Sequence, residues 1–204
     1  SGGHWAPIKI GYLDEFRSYR ENHLIINSTI LGLILVMGLY HLFLYAARRD
    51  DRPSLWLGLL CLIMAIRYFN TTKIYTGFFA ASELLLSTSM TLEYLAMPLN
   101  AAVALLFFRH FIVAEWFSRL LKPLLALSLF ASTAVLFTPL TFFQPLLTGL
   151  QALMAVTIIV VSIHITRASL AGHPEAKITM LAVLILAGCV GWDIHIANSP
   201  LNPF

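Results

Sequence analysis

Charge is scarce in this chain of 204 residues: 11% are Asp, Glu, Lys or Arg, while 59% are hydrophobic. A soluble domain carries about 25% charged residues. The chain therefore lacks the polar groups to cover a water-facing surface, and a soluble enzyme is excluded. A mean hydropathy of +0.81 agrees. Cysteine is nearly absent. Cys61 and Cys189 both lie inside apolar runs, which argues against a disulfide framework or a thiol metal site and leaves them as small packing residues. No lysine falls within an apolar run and no His-x-x-x-His pair occurs, so no Schiff-base cofactor, no zinc and no other cofactor is expected. The net charge of +3 is spread in short runs between apolar segments. That pattern suits charges that orient a membrane protein and gives no nucleic-acid surface. No cleavable signal peptide is visible. The opening Ser1-Gly2-Gly3-His4-Trp5-Ala6-Pro7, with no initiator Met, reads as the tail of an upstream segment, so a fragment or processed chain is expected.

What the chain has is apolar length. A spanning helix needs about 20 mostly apolar residues, and six stretches qualify: Leu24–Ala47, Ser54–Asn70, Leu84–Phe108, Pro123–Phe143, Pro145–Thr166 and Ile178–Ala197. Pro53 and Pro145 stand where a helix opens. The second stretch has only twelve uncharged residues, Leu55–Ile66, before Arg67. Arg48-Arg49-Asp50-Asp51-Arg52-Pro53 and Ala171-Gly172-His173-Pro174-Glu175 read as breakers between spans, and Thr138-Pro139 with Gln144-Pro145 as a short hairpin. The fold expected is an all-α polytopic helical bundle of six spans. Residues 1–23 form an external segment, 24–197 the bundle and 198–204 an external loop.

Loop charge sets the orientation. Arg48, Arg49, Arg52, Arg109, Arg119, Lys122, Arg167 and Lys177 share one side, against Lys73, Arg67, Lys9, Arg17 and Arg20 on the other. Basic residues favour the cytoplasm, so the N-terminus is expected outside. Six spans would put the C-terminus outside too. An external sensor with an internal output needs an odd count, so a seventh span is expected to be missing beyond residue 204.

Ionisable groups within a membrane are expensive and mark function. Glu93 lies about ten residues into the third span, or ~15 Å at about 1.5 Å per residue. Ser89, Glu93, Met97, Asn100 and Ala104 fall on one helical stripe expected to face the bundle interior. Pro98 removes a backbone donor from the Tyr94 carbonyl and predicts a kink just below Glu93. Arg67 and Asp193 lie near the outer ends of spans two and six. Arg67, Glu93, Asn100 and Asp193 are thus the candidates for a polar outer pocket that binds a ligand or couples to an external domain. The plainer alternative is a structural ion pair, or snorkelling by Arg67 and Asp193.

His41 and His164, near the inner ends of spans one and five, are candidates for pH sensing or are hydrogen-bonded interfacial histidines. Trp192 and His195 read as belt residues. Ser28, Gly32, Gly38, Gly188 and Gly191 offer close helix contacts. Phe111–Leu121, with Trp116 and Arg119, predicts a short amphipathic stretch along the inner interface.

One further pattern narrows the reading. Ile30-Leu31-Gly32-Leu33-Ile34-Leu35-Val36-Met37-Gly38-Leu39-Tyr40-His41-Leu42-Phe43-Leu44-Tyr45, then Arg49-Asp50-Asp51-Arg52, then Leu55-Trp56-Leu57-Gly58, resembles the bacterial seven-transmembrane receptors with diverse intracellular signalling modules. His41 stands where that family often has Asn. Pro7-Ile8-Lys9-Ile10-Gly11 looks like the closing strand of the external β-rich sensor that commonly precedes its spans. The resemblance covers residues 7–70, and the later spans by topology.

It implies a receptor in the bacterial inner membrane. Such a chain relays an external signal to a cytoplasmic kinase or cyclase module of the same polypeptide, with homodimer formation left open. Neither a seventh span nor an output module is in this sequence, so no enzyme active site is expected here. The alternative is a small-molecule or proton-coupled transporter using Glu93 and Asp193, which would require further broken helices.

Overall fold

The computed structural model describes residues 13–72, 83–110, 115–139, 143–172, 176–177 and 179–181. Five helices follow in order: α1 (Leu13–Ala47), α2 (Arg52–Thr71), α3 (Glu83–Phe108), α4 (Glu115–Phe137) and α5 (Phe143–Leu170). Each is long and apolar enough to cross a bilayer. The chain is an all-α polytopic bundle, as its composition requires. Residues 176–177 and 179–181 are also helical. The rest of the expected sixth span, Asp193 within it, the strand-like Pro7–Gly11 and the loop 198–204 lie outside the described residues.

Consecutive helices run antiparallel. The end where α1 begins is the upper end here, and the opposite end the lower. α1 packs on α2, α2 on α3, and α3 on both α4 and α5, which also touch each other. α3 is therefore the hub. Its buried face is built from small residues, Ala96, Ala101 and Ala102, with Pro98, Val103 and Leu105. Small side chains let backbones approach, which drives association where lipid offers no hydrophobic gain. The outer surface is the reverse: Phe43, Phe130 and Phe137 are 72–82% exposed, while Asn100, Ser128, Thr157 and His164 are buried. Large apolar groups outside and polar ones inside is the arrangement that lipid selects.

α1 and α2 meet through two glycines. A Cβ on Gly58 would stand 2.8 Å from the Leu42 side chain and 3.1 Å from the Gly38 carbonyl oxygen. Gly38 approaches Cys61 Cβ similarly, while Gly32 has open space. Gly38 thus makes the close contact expected of it; Gly32 does not, and Ser28 is exposed.

Helix starts follow local chemistry. At α2, Asp51 caps the helix: it accepts from Ser54 Oγ at 2.6 Å and Ser54 N at 3.4 Å, and Pro53 sits in the first turn. At α5, Pro145 is likewise in the first turn, and Gly172, at φ +92°, closes the other end. Two starts differ from the sequence expectation. α1 begins at Leu13, not Leu24, giving 35 residues or about 52 Å, longer than a ~30 Å hydrocarbon core. Asp14 to His23 contain no breaker, so the helix continues into the polar region.

α4 begins at Glu115, with Pro123 in its interior. The amphipathic stretch expected at Phe111–Leu121 is from residue 115 onward the first two turns of α4. Phe117 and Leu121, four apart, are buried there while Glu115, Arg119 and Lys122 stay exposed. That buried pair holds the helix together ahead of the proline. α3 also runs through Pro98 unbroken. Among the described residues no span is a pair of half-helices.

Candidate functional site

The upper half of α1, α2 and α3 carries a polar seam. Several hydroxyls in the spans fold back on their own helix: Thr29, Thr91, Ser132, Thr133 and Thr157 each donate to the carbonyl four residues earlier. Such bonds satisfy the side chain and tie nothing together. Four side-chain hydrogen bonds cross from α2 to its neighbours.

Tyr68 Oη donates to Asn27 Oδ1 at 2.6 Å, joining α2 to α1. Asn27 in turn donates to the His23 carbonyl at 2.8 Å and lies against the His23 ring. The other three join α2 to α3. Ser89 Oγ donates to Asn70 Oδ1 at 2.8 Å, and this pair is buried. Thr71 Oγ1 donates to Glu93 Oε1 at 3.2 Å. Asn100 Nδ2 donates to Met64 Sδ at 3.3 Å, a weak acceptor.

Three of the five stripe residues face α2, while Met97 packs toward Val135 and Leu150 of α4 and α5. Ser89, Glu93 and Asn100 all reach across to α2. Asn100 is 3% exposed, and its Oδ1 is buried with no hydrogen-bond partner among the described residues. Glu93 is partly buried, and the Thr71 hydroxyl gives its carboxylate a hydrogen bond but no countercharge. Arg67 stands one turn below Thr71, half-buried. Arg67 and Glu93 form no ion pair, since the acid is met by Thr71 instead. Asp193, the fourth candidate, lies outside the described residues.

Asn27, Tyr68, Asn70 and Thr71 complete the seam and were not singled out by sequence reading. A signal was available: Asn27 and Asn70 are amides inside apolar runs, and an amide in a membrane must find a partner. Cross-helix bonds of this kind contribute about 0.6 kcal/mol on average and up to ~1.7. Tyr68→Phe removes the α1 tie and keeps the ring. We expect a small loss of thermal stability in lipid, at the upper part of that range because Asn27 is left buried with an unused oxygen. An unchanged melting temperature would show that water replaces the tie.

Beside the seam is a groove of about 560 Å³. Leu31 and Leu35 of α1, Leu62, Ile66 and Phe69 of α2, and Leu85 and Leu92 of α3 line it, with Asn70, Thr88 and Ser89 as its polar members.

A second cluster closes the lower end, where α3, α4 and α5 meet. Leu105, Phe117, Leu121, Val161 and Ile165 form its core. His164, 1% exposed, stacks on Phe117 at 4.0 Å with the rings 15° apart. Its ring bonds the Phe108 main chain, and Nε2 is buried without a partner among the described residues. His164 is thus a hydrogen-bonded histidine buried between helices at the lower end. Among the described residues no group of three His, Cys, Asp or Glu side chains is placed to hold a metal.

A family model described as 7TM diverse intracellular signalling matches residues 23–204. No curated protein and no solved structure matches the chain. The match takes in all five described spans and runs on past them. With an apolar exterior, a polar interior seam and that match over most of its length, the chain belongs to the 7TM diverse intracellular signalling family and is a membrane signalling receptor domain.

Proposed function

We propose that this bundle relays a signal arriving at its upper, external end to a cytoplasmic kinase or cyclase module of the same polypeptide, joined at its lower end, in a bacterial inner membrane. The sensor would precede residue 23, and a homodimer is compatible with the reading. The orientation rests on charge: Arg48, Arg49, Arg52, Arg109, Arg119, Lys122, Arg167 and Lys177 are all exposed toward the lower end, and basic residues favour the cytoplasm.

The α2–α3 seam carries the reading. It holds Glu93, with no countercharge from Thr71, and Asn100, with an unused acceptor, two turns or about 10 Å apart on one helix. Along α2, Arg67 falls between Met64 and Thr71, and Asp193 would approach from the sixth span. A group that supplied a cation or hydrogen-bond donors there would satisfy both acceptors and change how α2 sits on α3. Because α3 also packs on α4 and α5, the shift would pass to the lower end. A relay of this kind requires two bundle states that the signal favours unequally. The transporter alternative needs broken helices, and the unbroken α3 and α4 offer it no support.

The test is Glu93→Gln in the full-length protein, with signal-dependent output as the readout. The substitution keeps the shape and removes the charge. We expect the response to the signal to fall about fivefold or more, the lower bound of usual allosteric coupling, at normal protein level in the membrane. Asn100→Leu should weaken the response without altering charge. A normal response from folded Glu93→Gln protein would sink the role of the seam.

A further inference from the structure

The lower corner between α4 and α5 holds a feature that the relay does not use. The Arg167 guanidinium lies over the Trp116 ring at 5.0 Å from its centroid. Trp116 packs edge-on against His164 at 5.8 Å and against Phe117 at 5.9 Å. His164 stacks on Phe117. A continuous ladder of flat groups thus runs from an exposed cation to the core of three helices.

Three observations mark the outer rung as a binding position. Arg167 is exposed and has no carboxylate within ion-pair distance among the described residues. Of the described acids at that end, Asp51 caps α2 through Ser54, Glu115 faces Arg119 at 3.6 Å, and Asp50 lies between α1 and α2, neither of which packs on α5. The stacking on Trp116 also holds the guanidinium in place, so less side-chain entropy is lost when it binds. Finally, Arg109, Arg119, Lys122 and Lys177 are exposed toward the same end, and their summed field draws anions to the corner. A planar guanidinium with free N–H donors at the level of an interfacial tryptophan matches the phosphate of a lipid headgroup in geometry and in depth.

We propose that Arg167, held over Trp116, binds the phosphate of an anionic phospholipid in the leaflet at the lower end, and that this headgroup stabilises the α4–α5 junction through the ladder. The site is distinct from the upper seam and does not depend on the relay. Either could fail while the other stands.

The test places the whole protein in nanodiscs of phosphatidylcholine alone or with phosphatidylglycerol, and follows thermal unfolding. The wild type should melt higher with phosphatidylglycerol. Arg167→Gln should lose more than half of that rise. Arg52→Gln, which removes an equal charge from the same end but away from Trp116, should keep most of it. An equal rise in Arg167→Gln and wild type would overturn the site, leaving a diffuse basic rim. No rise in wild type would overturn it as well. If soluble glycerol phosphate in phosphatidylcholine discs gives the same rise, the ligand is a free phosphate and the lipid assignment fails. Arg167→Lys keeps the charge without the flat stack. It is expected to fall between wild type and Arg167→Gln, and serves as the reading if the glutamine variant does not fold.

Discussion

Gly58→Leu is expected to detach α1 from α2. The first atom added at Gly58 would already stand 2.8 Å from Leu42 Cγ and Cδ2 and 3.1 Å from the Gly38 carbonyl oxygen. Leu42 can turn aside; the backbone oxygen cannot. Three further carbons must then push the helices apart. Overpacking a well-packed site costs roughly 1–3 kcal/mol, and here the loss does not stop at the site. Among the described residues α1 packs on no helix but α2, so separation at Gly58 also strains the Tyr68–Asn27 bond. Lipid can receive the freed face of α1 without penalty, because its outward side chains, such as Leu33, Val36 and Phe43, already stand exposed. The glycines form a graded series. Gly38→Ala should be milder, since its nearest contacts are 3.1–3.4 Å away, and Gly32→Ala should be neutral, with nothing within 4 Å. Melting temperatures in one nanodisc composition test the order. If Gly58→Leu melts with the wild type, α1 is not held by that crossing.

The same series shows what a sequence discloses about packing. Gly32 and Gly38 look alike in a list of small residues, yet only Gly38 faces α2. Facing is fixed by helix rotation, and rotation is fixed by the partner. Gly58 drew no notice as a packing residue because its close neighbour, Gly38, lies twenty residues away on another helix. Spans were legible for a simpler reason. Hydropathy measures what lipid tolerates, and the prolines that open α2 and α5, with the Asp51 cap of α2, act within a few residues. Hydropathy does not measure where a helix stops being a helix. Hence α1 continues about ten residues beyond its apolar part, and α4 starts eight residues before the proline that looked like its first turn.

The candidate site divides in the same way. The Ser89, Glu93 and Asn100 stripe follows from spacing on one helix, and all three residues do share an edge. Their partners Asn70, Thr71 and Met64 depend on how α2 slides against α3, which spacing within either helix does not contain. Charge alone suggests Arg67 for Glu93. The contact goes instead to Thr71, whose short side chain lies at the level of the acid and has little rotamer freedom to lose.

Phe117→Ala is expected to give the larger loss of two Phe→Ala substitutions that separate packing from lipid exposure. Phe117 is 1% exposed and stacks on His164 at the junction of three helices. Phe→Ala in a soluble core costs about 3–5 kcal/mol, part of it transfer from water and part the cavity left behind. In a bilayer the transfer part shrinks, because separated helices still rest among lipid tails. The cavity part stays, and Trp116, Leu105 and Ile165 lose a common neighbour. A loss of about 2–4 kcal/mol is expected on that basis. Phe130→Ala is the matched control: the same atoms are removed from a side chain 72% exposed, where lipid refills the space, and the change should be close to zero. Thermal unfolding of both variants in the same nanodiscs decides between them. Equal losses would mean that ring size alone sets stability and that the lower cluster is not a distinct joint. A large loss confined to Phe117→Ala would mean that the lower ends of α3, α4 and α5 are joined through this buried stack, which Arg167 touches through Trp116.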